Sequence, residues 1–142
     1  MIFTGQTERS IDEKSRISLP TKMREGFPAG IVYASPGFND SIWLSPEIVF
    51  EEQLRKLGAS SLPEESVMEL KQILYSQSQR VELDKQGRIR LPENLLHLLD
   101  IGKQAFILGV GDHLEVLDQT KWTEQLEMKL PNFHDIMKRA RT

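Results

Sequence analysis

Residues 11–20 read "IDEKSRISLP" and residues 83–92 read "LDKQGRIRLP". Each runs apolar, Asp, three residues, Arg, Ile, polar, Leu, Pro. Asp12 and Asp84 are 72 positions apart, as are Arg16 and Arg88, and Pro20 and Pro92. Farther along, "IWLSP" at 42–46 answers "EVLDQ" at 115–119 with an offset of 73, and "FEEQL" at 50–54 answers "WTEQL" at 122–126 with an offset of 72. The copied unit is therefore a whole domain-like block of roughly 60 residues, and a long period present twice is a duplication, not a solenoid.

Within the second copy, "GRIRLP" alternates, with Ile89 and Leu91 on one face and Arg88 and Arg90 on the other. That is the pattern of a half-buried strand. The preceding "RVEL" alternates too, and "DKQG" between them is turn chemistry with Gly87 free to take positive φ. In the first copy Ile17 and Leu19 turn inward, Arg16 and Ser18 outward, and Ser15 stands where Gly87 does. Two further strands follow in each half: "IVYAS" and "SIWLS" around "PGFND", then "QAFILGV" and "HLEVLD" around "GD". Each half closes with a helix. Ser45 before Pro46 reads as a cap and first-turn proline, with Phe50, Leu54 and Leu57 on one face. In the second half Asp118 or Thr120 caps, and Trp122, Leu126 and Leu130 form the stripe. Pro20 and Pro92 start short helices, the second stopped by Gly102.

The connector has its own start signal, Pro63 with Glu64 and Glu65, and an apolar stripe of Val67, Leu70, Ile73 and Leu74. The organisation is thus a first repeat with its helix over 1–60, a connecting helix over 61–78, and a second repeat with its helix over 79–142, ending in a basic, frayed "MKRART". A 60-residue unit of this kind buries little alone, so the two halves are expected to share one core about a pseudo-two-fold axis.

Composition limits the function classes. With 39% hydrophobic and 27% charged residues the chain is of the soluble globular type. Charge interrupts every apolar stretch, which excludes a transmembrane helix, and "MIFTGQTERSID" has no leader pattern. There is no cysteine, so disulfides, thiolate metal sites and a Cys nucleophile are excluded, and a reducing, cytoplasmic setting is compatible. Net charge is −3, so any nucleic-acid site must be a local basic face on an acidic body.

An Asp and an Arg flanking a tight turn sit close together. Asp12 and Asp84 are read as structural residues that fix their turns by an ion pair or an Asx-type bond, with Gly87 completing the second. The arginines point outward. Arg suits phosphate and guanine edges through its planar fork. Lys14 and Arg16 in one loop, Lys85, Arg88 and Arg90 in the other, and Arg9 just upstream make the candidate DNA-binding set; Arg24 and Arg80 lie nearby in sequence.

The tandem "IDEKSRISLPTKMRE" and "LDKQGRIRLPENL", with an early "FTG" at 3–5, resembles the two D-x-x-x-R motifs and Phe-x-Gly start of the MraZ family, across nearly the whole chain. The chain departs at Ser15, where that family usually has Gly; a left-handed Ser costs of order 1 kcal/mol. The resemblance implies an α+β fold: a pseudo-two-fold, duplicated swapped-hairpin (AbrB-like) β-barrel with flanking helices. It also implies a homo-oligomeric ring and a nucleoid-associated, sequence-specific transcriptional regulator. Such a regulator binds direct repeats in double-stranded DNA upstream of the bacterial division and cell-wall gene cluster. The alternative is an antitoxin-like or scaffold module that dimerises through swapped hairpins.

No catalytic set, metal site or cofactor motif is legible, and neither membrane nor small-molecule substrate is expected as a partner. "GVGD" at 109–112 lies between strands and reads as a hairpin turn. His97, His113 and His134 lack ligand spacing. Glu51–Glu52 and Glu64–Glu65 are sequence neighbours on helices and do not share a face. Trp43 and Trp122 are expected in the core.

Overall fold

The computed structural model describes residues 1–58 and 61–141, without the side chain of Leu57. Strands β1 (Gln6–Ser10) and β2 (Arg16–Ser18) flank the first motif. Helix α1 (Thr21–Arg24), strands β3 (Ile31–Pro36) and β4 (Ile42–Ser45), and helix α2 (Glu47–Gly58) complete the first half. Helix α3 (Glu64–Gln77) leads to β5 (Gln79–Glu82), β6 (Arg88–Arg90), α4 (Glu93–Leu98), β7 (Gln104–Gly109), β8 (Leu114–Asp118), α5 (Gln119–Lys129) and α6 (Phe133–Arg141).

All pairings are antiparallel, and they cross between the halves. One sheet has six strands in the order β1-β7-β8-β4-β3-β5; β2 and β6 form a separate ribbon. β1 pairs with β7 of the other half, and β5 pairs with β3. The order reads as a palindrome about the β4–β8 seam. At the seam Trp43 faces Glu115, and in the ribbon Ile17 faces Ile89. Both pairs are related by 72 positions, so the pseudo-two-fold axis passes through them. The 73-residue offset read at "IWLSP" is therefore displaced by one at this seam. The second half has one more residue ahead of β7 (91–103 against 19–30), and its hairpin loop has one fewer (110–113 against 37–41), which restores the offset of 72 at the seam.

The sheet is not a closed barrel. β1 and β5 remain edges, because the three-residue ribbon strands pair only with each other. The open side is filled instead by the ribbon and the short helices. Ile17, Leu19, Met23, Ile89, Leu91 and Leu95 from that layer meet Val32, Ala34, Ile42, Leu44, Ile107, Leu114 and Val116 from the sheet in one core. Strand alternation sends Tyr33, Trp43 and Glu115 to the opposite face of the sheet. There Tyr33 stacks on Phe50 of α2 at 5.0 Å. The layers are thus ribbon, sheet, then α2, α3 and α5.

Several local expectations are displaced. The turn expected at "DKQG" is present, and the strands on either side of it pair elsewhere: β5 joins β3 and β6 joins β2. Ser45 Oγ is buried without a hydrogen-bond partner, so it does not cap α2. Asp118 Oδ1 accepts from Gly102 N at 2.9 Å and does not cap α5 by its side chain. Helix α4 ends at Leu98, before Gly102, where Asp100 takes φ 51°. The half-buried Trp43 and Trp122 lie on the helix side of the sheet, where Trp122 Nε1 donates to Gln6 Oε1 at 3.0 Å. In the α5 stripe Leu130 is exposed, and in the α3 stripe Ile73 is. Leu57, the third position of the α2 stripe, lies outside the described side chains. The basic tail is helical to Arg141, not frayed.

Candidate nucleic-acid interface

The two motif turns have one construction. Asp12 Oδ1 accepts from Lys14 N (2.9 Å) and Arg16 N (2.8 Å), and its Oδ2 accepts from Arg16 Nε (2.7 Å). Asp84 Oδ1 accepts from Gln86 N (2.9 Å) and Arg88 N (2.9 Å), and its Oδ2 accepts from Arg88 Nε (2.9 Å). Each turn is closed by Ser15 N to Asp12 O or Gly87 N to Asp84 O, both 3.0 Å. The turns then grip one another: Leu19 N donates to Gly87 O at 3.0 Å, and Leu91 N to Ser15 O at 2.8 Å. The result is a clasp in which each half supplies the other's missing backbone partner.

The residue before each Arg must be left-handed for this bend. Ser15 has φ 62° and Gly87 φ 75°. At Gly87 there is also no room, because a Cβ would lie 2.0 Å from Arg24 Cζ. Arg24 is held there by Nε donating to Leu19 O at 2.8 Å. Ser15→Gly is therefore expected to stabilise the fold by about 0.5–1 kcal/mol, since relief of left-handed strain exceeds the added chain entropy. Gly87→Ala is expected to destabilise by more than that and to displace Arg24. Urea unfolding of the two variants checks both signs.

Register decides which cations share a face. Arg16 lies opposite Arg90, and Ser18 opposite Arg88, while Ile17 and Ile89 are fully buried beneath. So Arg16, Arg88 and Arg90 stand together on the outer face of the ribbon. Arg16 and Arg88 are tethered at Nε only, and neither Nη group hydrogen-bonds another described residue. Arg90 Nε donates to Lys14 O at 3.0 Å and has no carboxylate partner among the described residues. Lys14 and Lys85 are exposed in the turns. Arg9 pairs in register with Ala105, a core residue, which puts it on the ribbon side of the sheet although its strand is the sheet edge. Arg80 pairs in register with Tyr33 and so falls on the helix side, where it meets Glu82 at 3.0 Å. Proximity in sequence misplaces it. Arg16 and Arg90 are like charges directly opposed on the ribbon, an arrangement that is unfavourable by itself and that the Asp12 carboxylate beside Arg16 offsets.

A second charged cluster is not legible in the sequence. His113 is buried and stacks on Trp43 at 3.8 Å between centroids. Its Nδ1 lies 2.7 Å from Asp112 Oδ1 and its Nε2 2.9 Å from Glu115 Oε2. Only the imidazolium can donate to both carboxylates at once, so this placement favours the protonated ring. Asp112 and Glu115 are sequence neighbours of His113, and nothing in their spacing distinguishes them from solvated charge. Only the hairpin and the Trp43 ring do.

These groups set the pH response. The Arg16 backbone N–H is the main cause holding Asp12 below its ordinary 3.8; partial burial opposes it, and the Arg16 side chain and Lys14 N–H assist. Asp84 is lowered by the Arg88 backbone N–H in the same way. For His113, burial works against the charge but is outweighed by Glu115 and Asp112, leaving it above its ordinary 6.5. The signs follow by linkage. The aspartates' contribution is present above 3.8 and lost as pH falls through their lower folded values. The histidine's contribution is full below 6.5 and lost as pH rises through its higher folded value. Stability is thus expected to fall at both ends, and His113→Gln is expected to remove only the alkaline-side loss; thermal melts across pH check this.

Among the described residues no group of His, Asp and Glu could hold a metal ion, and no helix is long and apolar enough to cross a membrane. The fold and the clasp define a duplicated α+β protein with paired D-x-x-x-R turns side by side on one ribbon. A family model described as "MraZ protein, putative antitoxin-like" matches residues 74–141. The protein named transcriptional regulator MraZ of Mesoplasma florum is 38% identical over 123 residues, covering 86% of this chain and 84% of that protein. Proteins of the same name are 32% identical over 125 residues in Roseiflexus sp. strain RS-1, covering 88% and 87%, and 31% identical over 135 residues in Syntrophomonas wolfei, covering 95% and 94%. The chain belongs to the MraZ family. These relatives are named as regulators, not enzymes.

Proposed function

We propose that the chain is a sequence-specific DNA-binding transcriptional regulator, acting at the nucleoid in the cytoplasm as a homo-oligomeric ring of swapped-hairpin units. Its target would be direct repeats in the promoter of the bacterial division and cell-wall gene cluster. The observation that carries this reading is the ribbon register, which sets Arg16, Arg88 and Arg90 on one outward face while Asp12 and Asp84 hold the first two by Nε alone. The guanidinium Nη groups are then pre-aimed at phosphates and guanine edges. Lys14, Lys85 and Arg9 add charge around them, suited to phosphate contact. Support also comes from the names of the relatives.

A ring explains how a chain of net charge −3 can bind DNA. One small basic face binds one repeat weakly, and several faces on one particle gain by effective concentration. Binding of DNA from upstream of the protein's own gene, with one repeat or three, tests it. The three-repeat probe is expected to bind at least about 100-fold tighter, with affinity falling steeply as salt rises. Equal affinities, or indifference to salt, contradict the reading. The words "putative antitoxin-like" favour a second reading, an interaction module that dimerises through its hairpins. That reading expects a two-chain particle that ignores the repeats.

A further inference from the structure

We infer that α6 of one chain docks in the apolar groove between α2 and α3 of a neighbouring copy, and that this head-to-tail contact links the particle. The inference rests on the ring assembly proposed above and names its interface.

The groove has a volume of about 530 Å³ and lies on the helix side of the sheet, away from the arginine ribbon. Phe38, Phe50, Leu54, Leu70, Ile73 and Leu74 line it. Of its polar groups His113 and Asp112 are engaged with each other, Lys56 and Gln53 are separate residues of α2, and Trp43 Nε1 is buried without a hydrogen-bond partner. Phe38 and Ile73 at its margin are large exposed apolar residues. A trough lined mainly by apolar side chains fits the apolar face of a helix.

The second half supplies such a helix. In the first half, α2 is followed by α3, which folds back on β3. In the second half, α5 is followed by α6, whose only substantial packing among the described residues is against the turn at Leu130–Asn132. Phe133, Ile136, Met137 and Ala140 recur on α6 at i, i+3, i+4 and i+7, the anchor spacing of a helix in a groove. Phe133 and Met137 are exposed.

Charge selects a second copy as the occupant. On α6, Lys138, Arg139 and Arg141 outnumber Asp135. On α2 and α3, Glu47, Glu51, Glu52, Glu64, Glu65 and Glu69 outnumber Arg55, Lys56 and Lys71. Donor and acceptor surfaces are therefore complementary, and each chain carries one of each. A heterologous contact of this kind repeats from chain to chain and closes into a ring when the rotation permits. It also leaves the ribbon of each chain uncovered.

Light scattering on the full chain and two variants tests it. Met137→Asp alters the donor helix and Ile73→Asp the groove; both side chains are exposed, and a circular dichroism melt confirms folding. Each variant alone is expected to fall to the 16.3 kDa monomer. Mixed together they are expected to form a two-chain particle, because one intact helix and one intact groove remain. Should Met137→Asp unfold, Arg141→Glu takes its place with the same expectation. A wild-type chain that is itself monomeric overturns both this inference and the ring. An oligomeric wild type whose variants keep its mass, or whose mixture yields no pair, overturns this inference alone. Loss of melting temperature in Met137→Asp at unchanged mass means that α6 docks within its own chain, which also overturns it.

Discussion

Replacing Arg16 and Arg88 together by Ala is expected to abolish DNA binding while leaving fold and particle mass unchanged. Each guanidinium supplies one of three hydrogen bonds to its aspartate, so Asp12 keeps Lys14 N and Arg16 N, and Asp84 keeps Gln86 N and Arg88 N. The turns are also closed by backbone bonds that the substitutions do not touch. Stability should therefore change little. Each arginine that reads a base is worth about 1–3 kcal/mol, roughly 10- to 100-fold, and the loss multiplies when several faces act together. Fluorescence anisotropy with a three-repeat probe measures affinity, and light scattering and a thermal melt are the controls. Lost folding would instead make these arginines structural. Lys14→Ala should weaken all sequences alike and flatten the salt dependence, as a phosphate contact does.

Ile89→Ala is expected to give the largest loss of stability. Ile89 is fully buried, faces Ile17 on the pseudo-two-fold axis, and joins ribbon to sheet in the common core. Its pocket is built from both halves at once. Neither half can collapse into the space independently, because β1 and β5 are each paired with the opposite half. Truncation of a buried Ile costs about 2–5 kcal/mol, which for a chain of this size lowers the melting temperature by roughly 10 °C. Urea unfolding at fixed protein concentration is the measurement. A change below about 0.5 kcal/mol, the size of a surface effect, would mean that the ribbon is not part of the cooperative core.

The duplication and the half-buried strands were legible because alternation and period are written locally. Ile17, Leu19, Ile89 and Leu91 are buried as their spacing requires. Partners were not legible. "RVEL" pairs with β3, not with its neighbour after the turn, and β6 pairs with β2, both across the two halves. The core placement expected for the tryptophans fails at Trp43, because alternation on β4 turns it to the opposite face from Ile42 and Leu44. In the candidate site, the residues were readable and the cross-grip was not. The bonds from Leu19 to Gly87 and from Leu91 to Ser15 join segments far apart in sequence. Arg24 was noted only as a nearby charge; its service against Gly87 depends on that grip. Ser15 shows the limit from the other side, since its left-handed φ reproduces the bend that Gly87 makes.

The most direct measurement is a crystal structure of the protein bound to DNA carrying its upstream repeats. The expected result places the ribbon against the duplex, with Nη atoms of Arg16 and Arg88 within hydrogen-bond distance of phosphate oxygens or guanine edges, and α2, α3 and α5 turned away. DNA lying along the helices, with both guanidiniums facing only solvent or Asp12 and Asp84, would contradict it.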